Sequence, residues 1–307
     1  MKREDNMTHP GASNTECPQA TPVDLRPPTA ARPPAAPRTN AFGQPLEPAP
    51  GALKARVIVV TSARPNVGKT TLVAALASSL QLPRGQTFAL DLDPKNALAA
   101  RLGATATATG LIHAQQHGKN WRDASLGGFA DSRVLAFGNA TCEQQRDLEK
   151  HLRQDPLWLA RQLAAMNLEE RDLVIIDTPA GESPYLSQAL GLADKALVVT
   201  LADTSSYRYA NYMERLLLPY LEQDNPPQSY FVINRVDITS SFNLDMCQVL
   251  KKRLGRQLLG VVHCDPVIRL AGSEGRDPLE QVPHSRGCSD LLNITGALYE
   301  QLLVPTL

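Results

Sequence analysis

The fold is decided by one stretch near the start of the chain, Arg56-Val57-Ile58-Val59-Val60-Thr61-Ser62-Ala63-Arg64-Pro65-Asn66-Val67-Gly68-Lys69-Thr70-Thr71. The five β-branched residues from Val57 to Thr61 favour a strand that is buried on both faces of a parallel sheet. A turn containing Pro, Asn and Gly follows, and small and apolar residues then continue as a helix from Lys69. A strand, a tight loop, Gly-Lys-Thr and a helix in this order are the context of a phosphate-binding loop.

This loop supplies a set of candidate nucleotide-binding residues. The N–H groups of a tight loop and of a helix N-terminus face bound phosphate, which gives the set Asn66, Val67, Gly68, Lys69, Thr70 and Thr71. We expect Lys69 to reach the β- and γ-phosphates and the Thr70 hydroxyl to ligate Mg²⁺. Taken alone, the stretch also fits an ordinary strand, turn and helix that contain Gly-Lys-Thr by chance.

Composition argues against several other classes of protein. The formal net charge of the 307 residues is zero, which argues against a dominant nucleic-acid or anionic-membrane surface. The five cysteines are scattered, a pattern of free thiols in a reducing compartment rather than of a disulfide scaffold or a zinc site. The chain has neither the N-terminal apolar region of a signal peptide nor an apolar run of about 18 residues. We therefore expect a cytoplasmic protein without an integral membrane segment.

The first 53 residues differ in composition from the rest. Eleven of the chain's 24 prolines lie in the first 50 residues, where they alternate with alanine and arginine. Such a segment cannot bury enough apolar area to offset its ordering entropy, so we expect residues 1–53 to form a disordered tail. The tail is either a solvated extension or a docking arm for a partner or an acidic lipid surface. Residues 54–307 are then the folded domain.

Short apolar runs alternate with helical patterns throughout that domain. The strands predicted after the first cover 86–92, 133–137, 173–176, 196–200, 230–233 and 258–262. The predicted helices cover 144–167 in two pieces divided at Pro156, 183–192, 205–221, 244–254 and 289–303. This alternation predicts an α/β fold of the P-loop NTPase type, with a doubly wound, mostly parallel sheet and helices on both faces. Ligands are expected at the carboxyl ends of the strands.

Two acidic motifs end predicted strands, as a P-loop ATPase requires. Asp91-Leu92-Asp93-Pro94 follows the second strand, and carboxylates there can hold the Mg²⁺ shell and orient an attacking water. Asp177 follows the apolar run 173–176, which is the Walker-B arrangement that holds Mg²⁺. The candidate metal ligands are therefore Thr70, Asp91 and Asp177. Acids often end strands, so each motif gains its weight from its order after Gly-Lys-Thr.

Together the motifs resemble the MinD/ParA family of P-loop ATPases with a deviant Walker A loop. Residues 56–71 resemble the family's opening strand and loop, 91–94 its second motif and 177–181 its third. Asn234 stands where the family binds adenine, and Pro266 lies in a stretch that resembles the next adenine-side loop. The resemblance covers residues 54–303. It implies ATP and Mg²⁺ as cofactors, Asp93 and Lys69 as catalytic residues, and an ATP-dependent homodimer.

Between the second and third motifs the chain resembles the BcsQ/YhjQ branch of that family, which is associated with bacterial cellulose synthesis. The matching residues are Gly110…Ala114…Gly118-x-x-Trp121-Arg122-Asp123-Ala124-x-Leu126 and Leu135-Ala136-Phe137-Gly138. They are not residues of nucleotide chemistry. They indicate the branch, and their expected local role is the packing of a helix–strand insertion by Trp121 and Phe137.

The loop departs from the family pattern at Arg64, where the family has a lysine. In dimeric relatives that lysine reaches the nucleotide of the other subunit, so the resemblance makes Arg64 a further catalytic candidate, acting in trans. Arginine keeps the charge but has a different reach and a planar donor fork, and Pro65 removes one backbone N–H. Phosphate binding with slow hydrolysis is therefore expected. Arg64 also fits a loop cation that points into water.

Three functions stay open. The first is a cytoplasmic ATP-binding switch that dimerises and helps to assemble, localise or regulate a cellulose synthase complex, through whose subunits it is peripheral to the inner membrane. The second is a DNA-partitioning ATPase that uses the basic cluster 251–256. One short basic cluster on a neutral protein is usually a solvated face, so DNA is not the expected partner. The third is a small-molecule ligase or kinase.

His113 and His117 have the spacing of helical metal ligands, but a solvated helix face is expected because no carboxylate lies between them.

Overall fold

The computed structural model describes residues 53–104, 110–223, 226–281 and 285–303. The predicted tail over residues 1–53 therefore lies outside the described residues, apart from Leu53. Among the described helices, none is long and apolar enough to cross a membrane.

Eight strands form one sheet in the order β3-β4-β2-β5-β1-β6-β7-β8. They are β1 Arg56–Thr61, β2 Thr87–Asp91, β3 Leu126–Gly127, β4 Arg133–Leu135, β5 Leu173–Asp177, β6 Lys195–Leu201, β7 Gln228–Val236 and β8 Leu258–His263. All neighbours pair in parallel except β3 and β4. The predicted mostly parallel α/β sheet is confirmed.

Helices cover both faces of this sheet. They are α1 Lys69–Ser79, α2 Leu98–Arg101, α3 Leu111–Gln116, α4 Trp121–Ala124, α5 Cys142–Gln154, α6 Trp158–Ala165, α7 Pro184–Leu190, α8 Ser206–Leu221, α9 Ser241–Leu254, α10 Pro266–Glu274, α11 Pro278–Gln281 and α12 Arg286–Leu303. Alternate side chains of β1 enter two separate cores: Val57 and Val59 pack with α5 to α9, whereas Ile58 and Val60 pack with α1, α2 and α12. The doubly wound architecture follows from this two-sided burial.

Helix α1 is buried along most of its length, which explains its continuous small and apolar sequence. Its residues from Leu72 to Ser78 are all buried. A helix that is apolar all round needs cover on more than one side, and the sheet, α2 and α12 supply it. The N-terminus of α1 is thereby fixed at the carboxyl end of β1.

Several parts of the fold differ from the sequence prediction, among them the short helices α2 and α11, which were not predicted. The two-residue strand β3, antiparallel to β4, was too short for a periodic signal. Helix α10 was also missed, because it is only nine residues long and Ala271 is its one buried side chain. Strand β4 ends at Leu135 rather than at Phe137. The predicted division of 144–167 into two helices is confirmed, since α5 and α6 are separated around Pro156.

The insertion between the acidic motifs is packed by aromatic residues, as the sequence predicted. Trp121 and Trp158 meet edge to face with ring centroids 5.4 Å apart. Phe137 and Tyr185 do the same at 5.9 Å. These four rings belong to the buried core on one face of the sheet. They hold the insertion against α6 and α7.

Candidate functional site

The parallel sheet brings the three predicted motifs to one edge. Strand β5 lies between β1 and β2, with Val60 opposite Asp177 and Asp91 opposite the same Asp177. The loop 62–68 joins the end of β1 to α1. The phosphate-binding loop and both acidic motifs are therefore neighbours, although more than 80 residues separate Asp91 from Asp177 in sequence.

The backbone of the loop has the shape of an anion-binding nest. Asn66 and Gly68 both lie in the left-handed region, with φ of 62° and 96°. Alternation of this kind turns successive N–H groups towards a common concavity, next to the positive end of α1. Glycine is required at position 68 for a second reason, because a Cβ there would lie 2.2 Å from Nδ2 of Asn234.

Lys69 lies buried among carboxylates at the start of α1. Lys69 is only 6% exposed to solvent. Burial lowers the pKa of Lys69, and the negative charges of Asp177 and Asp93 act in the opposite direction. A buried ammonium group that faces acidic neighbours is positioned to donate to phosphate oxygens. The structure thus brings Lys69, Asp93 and Asp177 together as the sequence predicted.

The two predicted metal-ligating acids are bound differently by the protein. Asp91 accepts hydrogen bonds from the N–H groups of Asp93 and Leu98, one on each oxygen and both at 3.0 Å. Its carboxylate therefore organises the backbone of the loop that carries Asp93. Burial, and then the charge of Asp177, raise the pKa of Asp91 well above its ordinary value.

Asp177 is fully buried, and neither of its oxygens receives a well-formed hydrogen bond from the described part of the chain. Burial raises the pKa of Asp177 to about 6, against the opposing effects of the Thr70 hydroxyl and of Lys69. A buried carboxylate whose oxygens lack well-formed hydrogen bonds is costly unless something binds it. Oxygen atoms of this kind beside a threonine hydroxyl are the ligands that Mg²⁺ takes, so the residues fit the expected ion.

Asp93, the predicted water-orienting residue, is 8% exposed. Its Oδ1 accepts a hydrogen bond of 3.1 Å from the N–H of Lys95. The loop beyond it is tied to the insertion, because Oδ1 of Asn96 accepts from the N–H of Gly138 at 3.1 Å. Asp93 is therefore held at the mouth of the site by its own loop.

The two residues predicted on the adenine side lie at the same edge of the sheet. Asn234, at the end of β7, donates from Nδ2 to the carbonyl oxygen of Val67 at 2.8 Å. Pro266 is the first residue of α10, whose N-terminus is capped by Asp265. In front of it, His263 is fixed by Asp290 on α12, with 2.7 Å between Nδ1 and the carboxylate. Binding of adenine by Asn234 and Pro266 stays a prediction.

Arg64 is bound to its own chain rather than pointing into water. Its guanidinium forms an ion pair with Asp203 and lies 5.3 Å from the ring centroid of Tyr209. Asp203 also accepts hydrogen bonds from Ser205 at 2.9 Å and Ser206 at 2.8 Å. Partial burial acts to raise the pKa of Asp203. The hydrogen bonds from Ser206 and Ser205, together with the contact with Arg64, outweigh this effect and lower the pKa.

Two residues at the site were not assigned by the sequence analysis. Asp203 follows β6, and Arg235 occupies the penultimate position of β7, where Nη1 donates to the carbonyl oxygen of Asn66 at 2.9 Å. Both lie close to the carboxyl end of a predicted strand, which was the signal that could have identified them. The loop atoms that they contact could not be deduced, because each contact joins segments more than 100 residues apart.

The basic cluster on α9 is partly engaged within the fold. Arg253 donates to both oxygens of Glu214 at 2.9 and 2.7 Å and lies 4.8 Å from the ring centroid of Tyr207. Lys251 and Lys252 remain exposed. The cluster therefore offers fewer free cations than its sequence suggests.

The histidine pair also lacks the surroundings of a metal site. The rings of His113 and His117 stack on each other at 4.0 Å near the C-terminal end of α3. Among the described residues, no group of three or more His, Cys, Asp and Glu side chains is arranged to hold a metal ion.

This chain resembles known proteins both in sequence and in fold. BcsQ of Salmonella typhi, named a cellulose biosynthesis protein, is 28% identical over 212 residues, which cover 68% of this chain and 80% of the relative. The septum site-determining protein MinD of Escherichia coli is 26% identical over 230 residues, covering 72% and 83%. The structure of MinD from Pyrococcus horikoshii complexed with Mg-ADP superposes with a TM-score of 0.63 at 22% identity, covering 80% of this chain and 97% of that one.

The structure of a ParA family ATPase from Chlorobium tepidum has a TM-score of 0.62 at 19% identity and covers 80% of this chain and 99% of its own. At such identities the solved structures show the fold alone, and they confirm the MinD/ParA type of P-loop fold. The family model described as cellulose biosynthesis protein BcsQ matches residues 55–293, a range that includes the phosphate-binding loop, both acidic motifs and the aromatic insertion. The chain therefore belongs to the BcsQ family of MinD/ParA-type proteins.

Proposed function

We propose that this protein is an ATP- and Mg²⁺-binding switch that dimerises and acts in bacterial cellulose synthesis. In this role it helps to assemble, localise or regulate a cellulose synthase complex, working from the cytoplasm and peripheral to the inner membrane through the subunits of that complex. The observation that carries the nucleotide part is Asp177, a buried carboxylate without a well-formed partner in the described chain, beside the buried Lys69. The family supplies the cellulose part.

Each polar residue at the edge of the sheet has a place in this function. The Thr70 hydroxyl and Asp177 would hold Mg²⁺, which when bound neutralises charge on the β- and γ-phosphates. Lys69 donates to the same phosphates from the start of α1, and the nest formed at Asn66 and Gly68 offers N–H groups to them.

Asp91 acts indirectly in this proposal. Both of its oxygens accept backbone N–H groups, so it holds the 93–98 loop in shape, and in this proposal it contributes to the Mg²⁺ site through that loop. Asp93, carried on that loop, accepts from the attacking water and orients it. Hydrolysis is slow, because the loop is stiffened by Pro65 and has an arginine in place of the family's lysine.

Dimerisation requires Arg64 to exchange partners. In the single chain Arg64 is bound to Asp203 and about 30% of its side chain is exposed. In the dimer it would instead donate to phosphate oxygens of the nucleotide held by the other subunit. A triphosphate carries more negative charge than one carboxylate and accepts two parallel bonds from the guanidinium fork, so it can compete for the group.

Binding is tested by isothermal titration calorimetry with ATP, in the presence and absence of Mg²⁺. We expect the wild type to bind, with affinity that depends on Mg²⁺, and Lys69→Ala to bind far more weakly. Analytical ultracentrifugation with a slowly hydrolysed ATP analogue should then show a dimer for the wild type and a monomer for Arg64→Ala. Equal dimerisation of the two proteins would contradict the exchange of partners by Arg64.

The cellular part is tested by deletion of the gene. We expect less cellulose, or cellulose at the wrong place, with normal inheritance of chromosomes and plasmids. DNA retention in a filter assay that falls steeply with salt, and that is lost when Lys251 and Lys252 are neutralised, would instead support a DNA-partitioning function.

A further inference from the structure

Two consecutive side chains at the end of β7 contact the backbone of the phosphate-binding loop. Asn234 donates to the carbonyl oxygen of Val67 at 2.8 Å, and Arg235 donates to that of Asn66 at 2.9 Å. On a regular strand neighbouring side chains point to opposite faces. A regular β7 could therefore place only one of them on the loop.

An extra residue in β7 makes the double contact possible. Ile233 pairs with Val261 and Val236 pairs with His263, so three steps along β7 match two along β8. This is a β-bulge, which redirects a side chain and is rare between parallel strands. Arg235 lies inside it with φ of 53°, in the left-handed region that a long side chain seldom adopts. Such strain persists only where the surroundings impose it, and it is concentrated at functional sites.

The part of the loop that Arg235 contacts needs outside support. Asn66 is itself left-handed, with φ of 62°, and it follows Pro65, which has no N–H to donate. The carbonyl groups of Asn66 and Val67 point away from the nest and are tied to β7 by Arg235 and Asn234. Fixing a carbonyl group also fixes the direction of the next N–H group, because both belong to one planar peptide unit.

We propose that Arg235 is a positioning residue that holds the phosphate-binding loop in its nucleotide-ready shape, so that the affinity for the polyphosphate part of the ligand depends on it. This inference rests on the proposed binding of ATP. Without the bond from Arg235, the loop would have to be ordered when the ligand binds, and the lost conformational entropy would weaken binding. The effect is exerted through Asn66, so it is independent of the base.

The test uses Arg235→Gly, because glycine adopts a φ of 53° without strain and removes the guanidinium. We expect the melting temperature of the full-length protein to stay the same or to rise. The dissociation constants of ATP, ADP and inorganic tripolyphosphate should all increase by about three- to tenfold, the loss of one charged hydrogen bond at an exposed site. A lower affinity without a lower stability is a combination that a merely structural role does not produce, and a fall in melting temperature that accounts for the lost affinity would overturn the inference.

Two further variants serve as controls. Arg84→Gly makes the same change at another exposed, left-handed arginine, with φ of 63°, in the loop that precedes β2 at the opposite edge of the sheet. It should show a similar change in stability with unchanged nucleotide affinity. Arg235→Lys retains one donor and should recover part of the affinity while keeping the strain.

The outcomes separate this inference from the proposed function. Wild-type affinity of Arg235→Gly for tripolyphosphate, together with a loss for Lys69→Ala, would overturn the role of Arg235 and leave ATP binding intact. A loss of affinity for ATP without a loss for tripolyphosphate would also overturn it, because Arg235 would then act on the base. A wild type that binds neither ligand would overturn the proposed function itself.

Discussion

Replacing Asp177 with asparagine measures the electrostatic cost that burial of this carboxylate imposes on the fold. Burial raises the pKa of Asp177 from 3.8 to about 6. At about 1.4 kcal/mol per pKa unit, its charge costs about 3 kcal/mol at neutral pH. Asparagine removes the charge at nearly the same volume but leaves a buried amide, which offsets about 1–2 kcal/mol. We expect a net stabilisation of about 1–2 kcal/mol, or about 2–8 °C in melting temperature.

The gain should depend on pH with a definite sign. The folded pKa of Asp177 lies above its unfolded value, so the folded chain binds the extra proton between the two values. The stability that this group supplies is complete below a pH of about 4 and is lost as the pH rises through about 6. The advantage of Asp177→Asn over the wild type should therefore be fully developed at a pH of about 7.5. At a pH of about 4 the charge cost is nearly absent and the buried amide remains, so the variant should there be less stable than the wild type by about 1–2 kcal/mol.

Thermal unfolding followed by circular dichroism, at several pH values and with or without Mg²⁺ and ATP, provides the measurement. Asp172→Asn is the matched control, because Asp172 is also buried but its two oxygens accept N–H groups of Gln86 and Glu169, both at 2.9 Å. That variant should be less stable than the wild type. Mg²⁺ with ATP should stabilise the wild type more than Asp177→Asn, because the variant lacks one of the residues that would hold Mg²⁺. An Asp177→Asn protein that is less stable than the wild type at a pH of about 7.5 would refute the reasoning.

Three further substitutions test the other groups at this edge. Lys69→Ala should lower ATP affinity by about tenfold to over a hundredfold in calorimetry, through loss of a charge-assisted bond, and unchanged binding would remove Lys69 from the site. Asp93→Ala should still bind ATP but release no phosphate; hydrolysis at the wild-type rate would show that another group orients the water. Asp203→Asn should let Arg64 leave more easily, so that sedimentation with an ATP analogue shows dimers at a protein concentration about two- to fivefold lower. Weaker dimerisation would show that Asp203 assists the dimer instead.

The central features of the fold follow from local sequence patterns, and the roles of individual acids do not. The β-branched run of β1 and the apolar run before Asp177 predict buried parallel strands, and parallel strands collect their final residues at one edge. Sequence alone treated Asp91 and Asp177 alike. The structure distinguishes them, because the chain after Asp91 turns back and offers two N–H groups to it, whereas none reaches Asp177 with good geometry.

Contacts between distant segments were beyond prediction for the same reason. Arg64 and Asp203 are 139 residues apart, and nothing near either residue specifies the other. Their meeting depends on the order of the strands, in which β6 lies directly beside β1. Helix α10 was missed because its apolar pattern extends over only nine residues, although the Asp265 cap and the proline that follows it mark its start.

The position of β1 in the middle of the sheet has a consequence for the time at which the site comes into existence. Strand β1 is made early, but both of its neighbours, β5 and β6, follow more than 100 residues later in the chain. The carbonyl group of Val67 finds its partner, Asn234, 167 residues downstream. During synthesis the apolar run of β1 is therefore exposed before the strands that pair with it have been made. Chains in this condition fold slowly and tend to aggregate. A nascent chain that ends before residue 234 would contain Gly-Lys-Thr but not the side chains of β7 that support its loop, so the proposed nucleotide binding should begin only after β7 has been made.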